Sequence, residues 1–169
     1  MKKILVGLFL LVSFYTNAQE MLKDSLCSNT MVETDKFNGD IKYTSPRIDD
    51  IYFFKNVRNN HISQYVSILV FARTFVGYKT NGLTILFKSG KKIIRSQEIV
   101  EADISFDGDG YDYSVFFTPT VNEIKLLKTE EIEGVKLYIF KADVTKGLEL
   151  KTYANCVLIT PKTIPKKKK

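Results

Sequence analysis

Short runs of β-branched and aromatic residues alternate with turn sequences along most of the chain. The turn sequences are Asn38-Gly39, Asn59-Asn60, Asn81-Gly82, Ser89-Gly90, Gly108-Asp109-Gly110 and Lys146-Gly147. Residues of these types tolerate the backbone angles that tight turns require. After Tyr65, the stretch 61–75 becomes almost continuously apolar, which is typical of a central strand covered on both faces. The pattern predicts a mainly β chain.

Individual strands can be assigned from the alternation of apolar and polar positions. Asn81-Gly82 precedes the apolar run Leu83 to Phe87, and this order favours a hairpin turn at the Asn-Gly pair. Residues 111–117 alternate in the same way, with Asp112, Ser114 and Phe116 on the outward side. The last strand is predicted over 150–158, with Leu150, Ala154, Cys156 and Leu158 on its inward side and Glu149, Lys151, Tyr153 and Asn155 on the other.

One segment interrupts the β pattern. Val121, Ile124 and Leu127 recur at helical spacing, and Thr120 and Glu123 are placed for a capping box. The spacing predicts one short helix near 119–128. About eight strands and one helix in a single domain predict an antiparallel β-sandwich, with a barrel as the second choice.

Residues 1–18 have the three parts of a secretory signal peptide. A basic start at Lys2 and Lys3 precedes an apolar run from Ile4, and a small-residue exit ends at Ala18. A retained membrane anchor is the alternative, but it needs roughly 18 or more consecutive apolar residues, and Thr16 ends the run before that length. We expect cleavage near Ala18, no transmembrane span in the mature chain, and a periplasmic or extracellular location.

The two cysteines, Cys27 and Cys156, both remain after that cleavage. An even number of cysteines in an oxidising compartment favours a disulfide, and two independent thiols are the alternative. The predicted organisation is therefore a signal peptide over 1–18, an N-terminal segment over 19–34 tethered by the disulfide, and a β-sandwich domain over 35–160. A basic tail, predicted to be disordered, follows over 161–169.

The net charge of +6 lies at the two ends of the chain. The 25 basic residues include Lys2 and Lys3 in the signal and Lys166, Lys167, Lys168 and Lys169 in the tail, and the others equal the 19 acidic residues in number. The body is close to neutral, so nucleic acid is not an expected partner. The tail is expected either to stay solvated or to make weak contact with an anionic envelope surface.

No set of residues in the sequence predicts a catalytic, cofactor or metal site. His61 is the single histidine, and nucleophile-elbow, phosphate-loop and dinucleotide motifs are missing. The acidic segment with Asp107, Asp109 and Asp112 resembles a calcium loop but lacks the bidentate acid that would complete it, so an ordinary turn is the alternative that we favour. The carboxylates that could form a glycosidase pair are Glu98, Glu101 and Asp103.

These observations predict a non-enzymatic binding or envelope-associated module without cofactor or metal. Its expected partner is a protein or an envelope polymer, because a β domain tied by a disulfide is suited to recognition through its surface. The alternative is a small carboxylate-dependent hydrolase that acts on envelope polymers.

Several segments together resemble a group of small secreted proteins. They are the export signal that ends Asn-Ala-Gln, the stretch from Asp35 to Gly39, the strand from Tyr111 to Thr118, the helix end from Leu126 to Thr129 and the strand from Lys136 to Phe140. The resemblance is to small uncharacterised secreted β-rich proteins of Bacteroidota-type bacteria. It implies a β-rich exported domain and supplies no catalytic residues.

Mature protein recovered outside the cytoplasm is expected to begin at Gln19, or within about two residues of it, because cleavage follows the small residue that ends the signal. Intact mass and N-terminal sequencing measure this. Exported protein that still carries Met1 would show that the segment is a retained anchor.

Overall fold

The described part of the chain forms one antiparallel sheet with two short helices. The structure is a computed structural model that describes residues 26–59 and 61–158. The strands in chain order are β1 (Met31–Thr34), β2 (Ile41–Thr44), β3 (Ile51–Arg58), β4 (His61–Ala72), β5 (Lys79–Phe87), β6 (Lys92–Ile104), β7 (Tyr111–Phe117), β8 (Ile132–Leu137) and β9 (Phe140–Asp143). The helices are α1 (Val121–Thr129) and α2 (Gly147–Val157). The predicted signal peptide and the basic tail with Lys166–Lys169 lie outside the described residues.

All nine described strands belong to a single sheet with the order β1-β2-β3-β4-β7-β6-β5-β8-β9. The sheet curls into a half-barrel, and β1 and β9 are its two edges. The predicted class, mainly β and antiparallel, is confirmed. The described residues hold nine strands and two helices, one of each more than the pattern predicted.

The inner face of the curled sheet carries the core. Strand alternation sends Ile51 and Phe53 of β3 and Val66 and Ile68 of β4 inward, where they are buried. The two helices cover this face, and α2 packs against β3, β8 and α1. Because a sheet face this apolar must be removed from water, the helices are as necessary to the fold as the strands.

Helix α1 begins at the predicted capping box. The backbone N–H of Glu123 donates to Thr120 Oγ1 over 3.3 Å, and the N–H of Thr120 donates to Glu123 Oε2 over 2.6 Å. Arg95 of β6 also binds Glu123, with Nη1 2.9 Å from Oε2, and its guanidinium lies over the ring of Phe117. The helix prediction is confirmed, and Arg95 joins α1 to the sheet.

The predicted last strand over 150–158 is wrong, because these residues lie mainly in helix α2. The buried positions are Leu150, Tyr153, Ala154 and Val157, which is helical spacing. Tyr153 was placed on the outward side of a strand and is only 3% exposed. Leu150, Ala154 and Leu158 recur at every fourth position. This spacing fits the period of 2 of a strand and the period of 3.6 of a helix about equally. The apolar pattern was therefore ambiguous.

The hairpin turn predicted at Asn81-Gly82 is also wrong. Both residues lie within β5, where the pairing with β6 is irregular between Asn81 and Leu83. Gly82 has a φ of 118°, so the Asn-Gly pair serves a bulge inside the strand. The connection from β4 to β5 is the loop 73–78, which is held by Tyr113: its hydroxyl accepts from the N–H of Val76 and donates to the carbonyl of Thr74.

Two contacts fix the first turn of α2. The carboxylate of Asp49, in the loop before β3, accepts from the backbone N–H groups of Thr145 over 2.8 Å and of Lys146 over 2.7 Å. It thereby holds the two residues that precede the helix, whereas the N-cap residue Lys146 makes no side-chain hydrogen bond to the first turn. Gly147 lies so close to β8 that a Cβ on it would overlap the carbonyl oxygen of Ile132.

A disulfide joins the start of the described chain to the last helix. Cys27 and Cys156 are bonded, and their Cα atoms lie 5.5 Å apart. The predicted pairing is confirmed, although Cys156 lies on helix α2 and not on a strand. Within the predicted segment 19–34, residues Met31–Thr34 pair with β2, so this part of the segment is an edge strand of the sheet.

Loss of the disulfide is expected to lower the free energy of unfolding by roughly 2–5 kcal/mol, because the bond closes a long loop in the unfolded chain. The sequence separation of its cysteines is 129. The double variant Cys27→Ser with Cys156→Ser should retain its β circular dichroism, since the core lies between the two positions. Urea unfolding of the variant and the parent measures the difference. Two free thiols in the unfolded, unreduced parent would contradict the bond.

Gly147→Ala is expected to lower the free energy of unfolding by about 1–3 kcal/mol, the usual cost of overpacking. Alanine is the better helix former by roughly 1 kcal/mol. Overlap with the Ile132 backbone outweighs that gain because neither partner is a flexible side chain. Leu148→Ala, at an exposed neighbouring position, is the matched control and should change stability by less than about 1 kcal/mol. Equal or higher stability of Gly147→Ala would contradict the close approach.

Candidate functional site

A cleft crosses the outer face of the sheet, on the side opposite the helices. Its volume is about 640 Å³, and side chains from β1, β2, β3, β4 and β7 line it. These five strands are consecutive in the sheet, so the cleft runs across the strand direction. We call it the outer-face cleft, and the residues that matter for its chemistry are Glu33, Lys42, Phe54, Asn56, Tyr65 and Phe116.

Four aromatic side chains form a connected group, which we call the aromatic floor: Phe54, Tyr65 and Phe116, which line the cleft, and Tyr52 beside Phe54. The rings of Tyr65 and Phe116 are stacked with centroids 4.8 Å apart. Phe54 lies 5.8 Å from Phe116 and 4.8 Å from Tyr52. Strand alternation places all four on the outer face, because their neighbours in each strand point into the core. Phe116 remains 57% exposed although it contacts two other rings.

Charged and amide groups surround the aromatic floor. Glu33 and Lys42 lie opposite each other on β1 and β2, and Asn56 follows on β3. The ammonium group of Lys42 lies 5.3 Å from the ring centroid of Phe54. The cleft therefore offers hydrogen-bond donors and acceptors of both charges beside an apolar surface, a combination typical of ligand sites.

Lys55 borders the same cleft, although its side chain lies on the inner side of β3. Its side chain is largely buried, and desolvation lowers the pKa of its amine. The amine lies 3.6 Å from the ring centroid of Tyr43, its cross-strand neighbour on β2. The ring face partly replaces the lost water around the cation, and it fixes the position of the lysine.

The residues of the calcium-like loop lie in and beside the hairpin between β6 and β7. The carbonyl of Gly110 accepts from the N–H of Ser105, and Ser105 Oγ donates to Asp109 Oδ1 over 3.4 Å. Asp112 lies opposite Asp103 on the neighbouring strand, while Asp107 is in the turn itself. Over residues 26–59 and 61–158, no three carboxylate, histidine or cysteine side chains come together as a metal site.

Two of the three candidate glycosidase carboxylates line one smaller cleft of about 400 Å³. Glu98 and Glu101 share it with Phe116, so it adjoins the outer-face cleft. Glu98 Oε2 accepts from Arg95 Nε over 2.6 Å, and Glu101 lies 3.5 Å from the amine of Lys79. Both carboxylates are thus held in ion pairs. Asp103 lies further along β6 and does not line this cleft.

His61 lies at the exposed start of β4, with Nδ1 3.5 Å from Ser63 Oγ. It does not line the outer-face cleft or the smaller cleft.

The aromatic floor was not identified from the sequence. One signal was present, since Phe116 was assigned to the outward side of its strand together with Asp112 and Ser114. A large aromatic residue on a water-facing side is unusual enough to mark a surface for attention. Its partners could not be found, because Tyr52, Phe54 and Tyr65 lie far away in the chain and meet it only through the register of three strands.

Among the described residues, no helix has the length and apolar character needed to cross a membrane. Comparison of the chain with protein-family models, with curated proteins and with solved structures finds no match. The resemblance to small secreted β-rich proteins therefore stays a prediction, and the site must be interpreted from its own geometry.

Proposed function

We propose that the protein is an exported, non-enzymatic binding module whose ligand, a partner protein or an envelope polymer, lies in the outer-face cleft. The observation that supports it is the aromatic floor, four connected rings on a sheet face that the helices do not cover. The solvent face of an antiparallel sheet is ordinarily polar. A contiguous apolar surface at such a place is typical of an interaction site.

The chemistry of the cleft suits recognition more than reaction. The rings supply apolar contact area with few rotatable bonds, so little conformational entropy is lost when a ligand covers them. Glu33, Lys42 and Asn56 stand at the side of the rings and can orient a ligand through hydrogen bonds. The aromatic rings contribute affinity, and the polar groups contribute specificity.

Two features support export to the periplasm or the extracellular space. The first is the predicted signal peptide over residues 1–18. The second is the bond between Cys27 and Cys156, since structural disulfides form and persist mainly in oxidising compartments.

We also infer that the curled sheet packs as a sandwich. The rings of Tyr113 on β7 and Phe140 on β9 lie 4.4 Å apart across the core. These two strands are separated by three others in the sheet order, so they face each other as layers and not as hydrogen-bonded neighbours.

A carboxylate-dependent hydrolase is the second candidate, because Glu98 and Glu101 line the same smaller cleft beside Phe116. A glycosidase uses one carboxyl group as proton donor and the other as base or nucleophile. The ion pairs do not favour catalysis by these carboxylates, since Arg95 already binds Glu98 and Lys79 already binds Glu101. Glu101→Gln separates the two candidates, because it would abolish hydrolysis of an envelope polymer without removing the aromatic floor.

Phe116→Ala is expected to reduce retention of the ligand at least tenfold, about the effect of truncating a central aromatic residue of an interface. The measurement is affinity purification from the cell envelope fraction on immobilised protein, with quantification of whatever the parent retains. Phe106→Ala is the matched control: it removes the same ring at the fully exposed tip of the β6–β7 hairpin, outside the cleft.

The proposal would be contradicted if Phe116→Ala retained as much ligand as the parent and Phe106→Ala do. Thermal unfolding of each variant is measured in parallel. The comparison is valid because Phe116 is exposed, so its truncation opens no cavity in the core.

A further inference from the structure

Strand β1 is an exposed edge of the sheet. All four of its residues are exposed, with Met31 60% and Val32 56% accessible. One side of the strand pairs with β2, and no described strand lies on the other side. An edge of this kind presents backbone donors and acceptors to any chain that can lie beside it.

The register identifies which backbone groups point outward. The N–H of Asp35 donates to the carbonyl of Asp40, so this pair is hydrogen-bonded. Hydrogen-bonded and non-bonded pairs alternate in an antiparallel ladder, so Glu33 and Lys42 are also a hydrogen-bonded pair. The backbone N–H and C=O groups of Val32 and Thr34 therefore point away from β2. The bond from Ser45 N–H to the Phe53 carbonyl gives the same phase from the β2–β3 side.

The two edges of the sheet are protected to different degrees. Lys141 and Asp143 place two charges on the short edge strand β9, and such charges discourage further pairing. Strand β1 has the sequence Met-Val-Glu-Thr, with one charge and neither lysine nor proline. It is also held in place, because Cys27 just upstream is bonded to helix α2. An ordered strand loses little entropy when it binds a partner.

We propose that β1 binds an extended segment of a partner protein as an additional strand. The N–H and C=O groups of Val32 and Thr34 form its hydrogen bonds, and a basic residue of the partner lies opposite Glu33. This is strand addition at a sheet edge, in which the backbone provides affinity and alternate side chains provide specificity. The residues on either side of the basic one face Val32 and Thr34, so β-branched residues fit there.

The charge of Glu33 favours a different protein over a second copy of this chain. Two copies of β1 that use all four outward groups in antiparallel pairing place Val32 opposite Thr34 of the other copy. That register brings Glu33 opposite Glu33, and like charges directly opposite each other destabilise a strand pair. A basic partner residue instead continues the alternation of charge from Glu33 to Lys42 across the outer face.

The test uses short blocked peptides in which valine and threonine alternate around one central lysine or one central glutamate. With the purified chain at low salt, the lysine peptide is expected to protect the amide protons of Val32 and Thr34 from exchange and to shift their NMR signals. It should bind about three- to tenfold more tightly than the glutamate peptide, because an attractive cross-strand pair with Glu33 replaces a repulsive one.

Three variants make the test specific. Glu33→Lys should reverse the preference between the peptides, while Asp143→Lys makes the same change at the other edge and should leave it unaltered. Val32→Pro removes one outward N–H, at an edge position where proline is tolerated, and should reduce binding of the lysine peptide at least about tenfold. Phe116→Ala should not change binding of the lysine peptide. The proposal for the outer-face cleft and the proposal for the β1 edge can therefore fail separately.

Binding of neither peptide at millimolar concentration would overturn the proposal. An unchanged preference in Glu33→Lys would also overturn it, and that variant is expected to fold because position 33 is exposed. Concentration-dependent dimerisation of the parent that disappears in Val32→Pro would show instead that a second copy occupies the edge.

Discussion

The fold depends on covering one face of a single curled sheet. The nine described strands form one sheet whose inner face carries aliphatic and aromatic side chains, and the two helices cover that face. Helix α2 is held there by contacts of different kinds: the bonds from Asp49 to the two residues before the helix, the close approach of Gly147 to β8, and the bond from Cys156 to Cys27. Each connects α2 to a different part of the sheet, so the docking of this helix organises the molecule.

The same constraint determines which face of the sheet is open to the ligand that we propose. Because the helices lie on the inner face, no described layer covers the outer face of β1, β2, β3, β4 and β7. Side chains on that face are therefore accessible to a ligand. The aromatic floor adds nothing to the buried core, since Phe116 is exposed while its neighbours Val115 and Phe117 are buried. Contacts among these rings stabilise the sheet, but they leave Phe116 largely in water, and a ligand that covers it is the reason that we propose.

Local signals in the sequence predicted local structure correctly. The capping box at Thr120 and Glu123 predicted the start of α1. The disulfide joins distant residues, but it could be predicted because the sequence holds only two cysteines. Where a signal was compatible with two structures, the prediction failed: four-residue spacing in 150–158 fits a strand and a helix, and Asn81-Gly82 fits a turn and a bulge. The cleft could not be predicted, because it depends on how β3, β4 and β7 are registered, and register is set by the whole sheet.

The disulfide connects the stability of the core with the proposed surfaces. All four residues of β1 are exposed, so hydrophobic contact holds this strand only weakly. Its position depends on the ladder with β2 and on Cys27, which is bonded to a helix that is itself packed in the core. Reduction would leave β1 held by its ladder with β2 alone. Glu33 and Thr34 form one wall of the outer-face cleft and Val32 belongs to the exposed edge. Oxidation therefore favours the ordered state of β1, the one strand that contributes to both proposed surfaces.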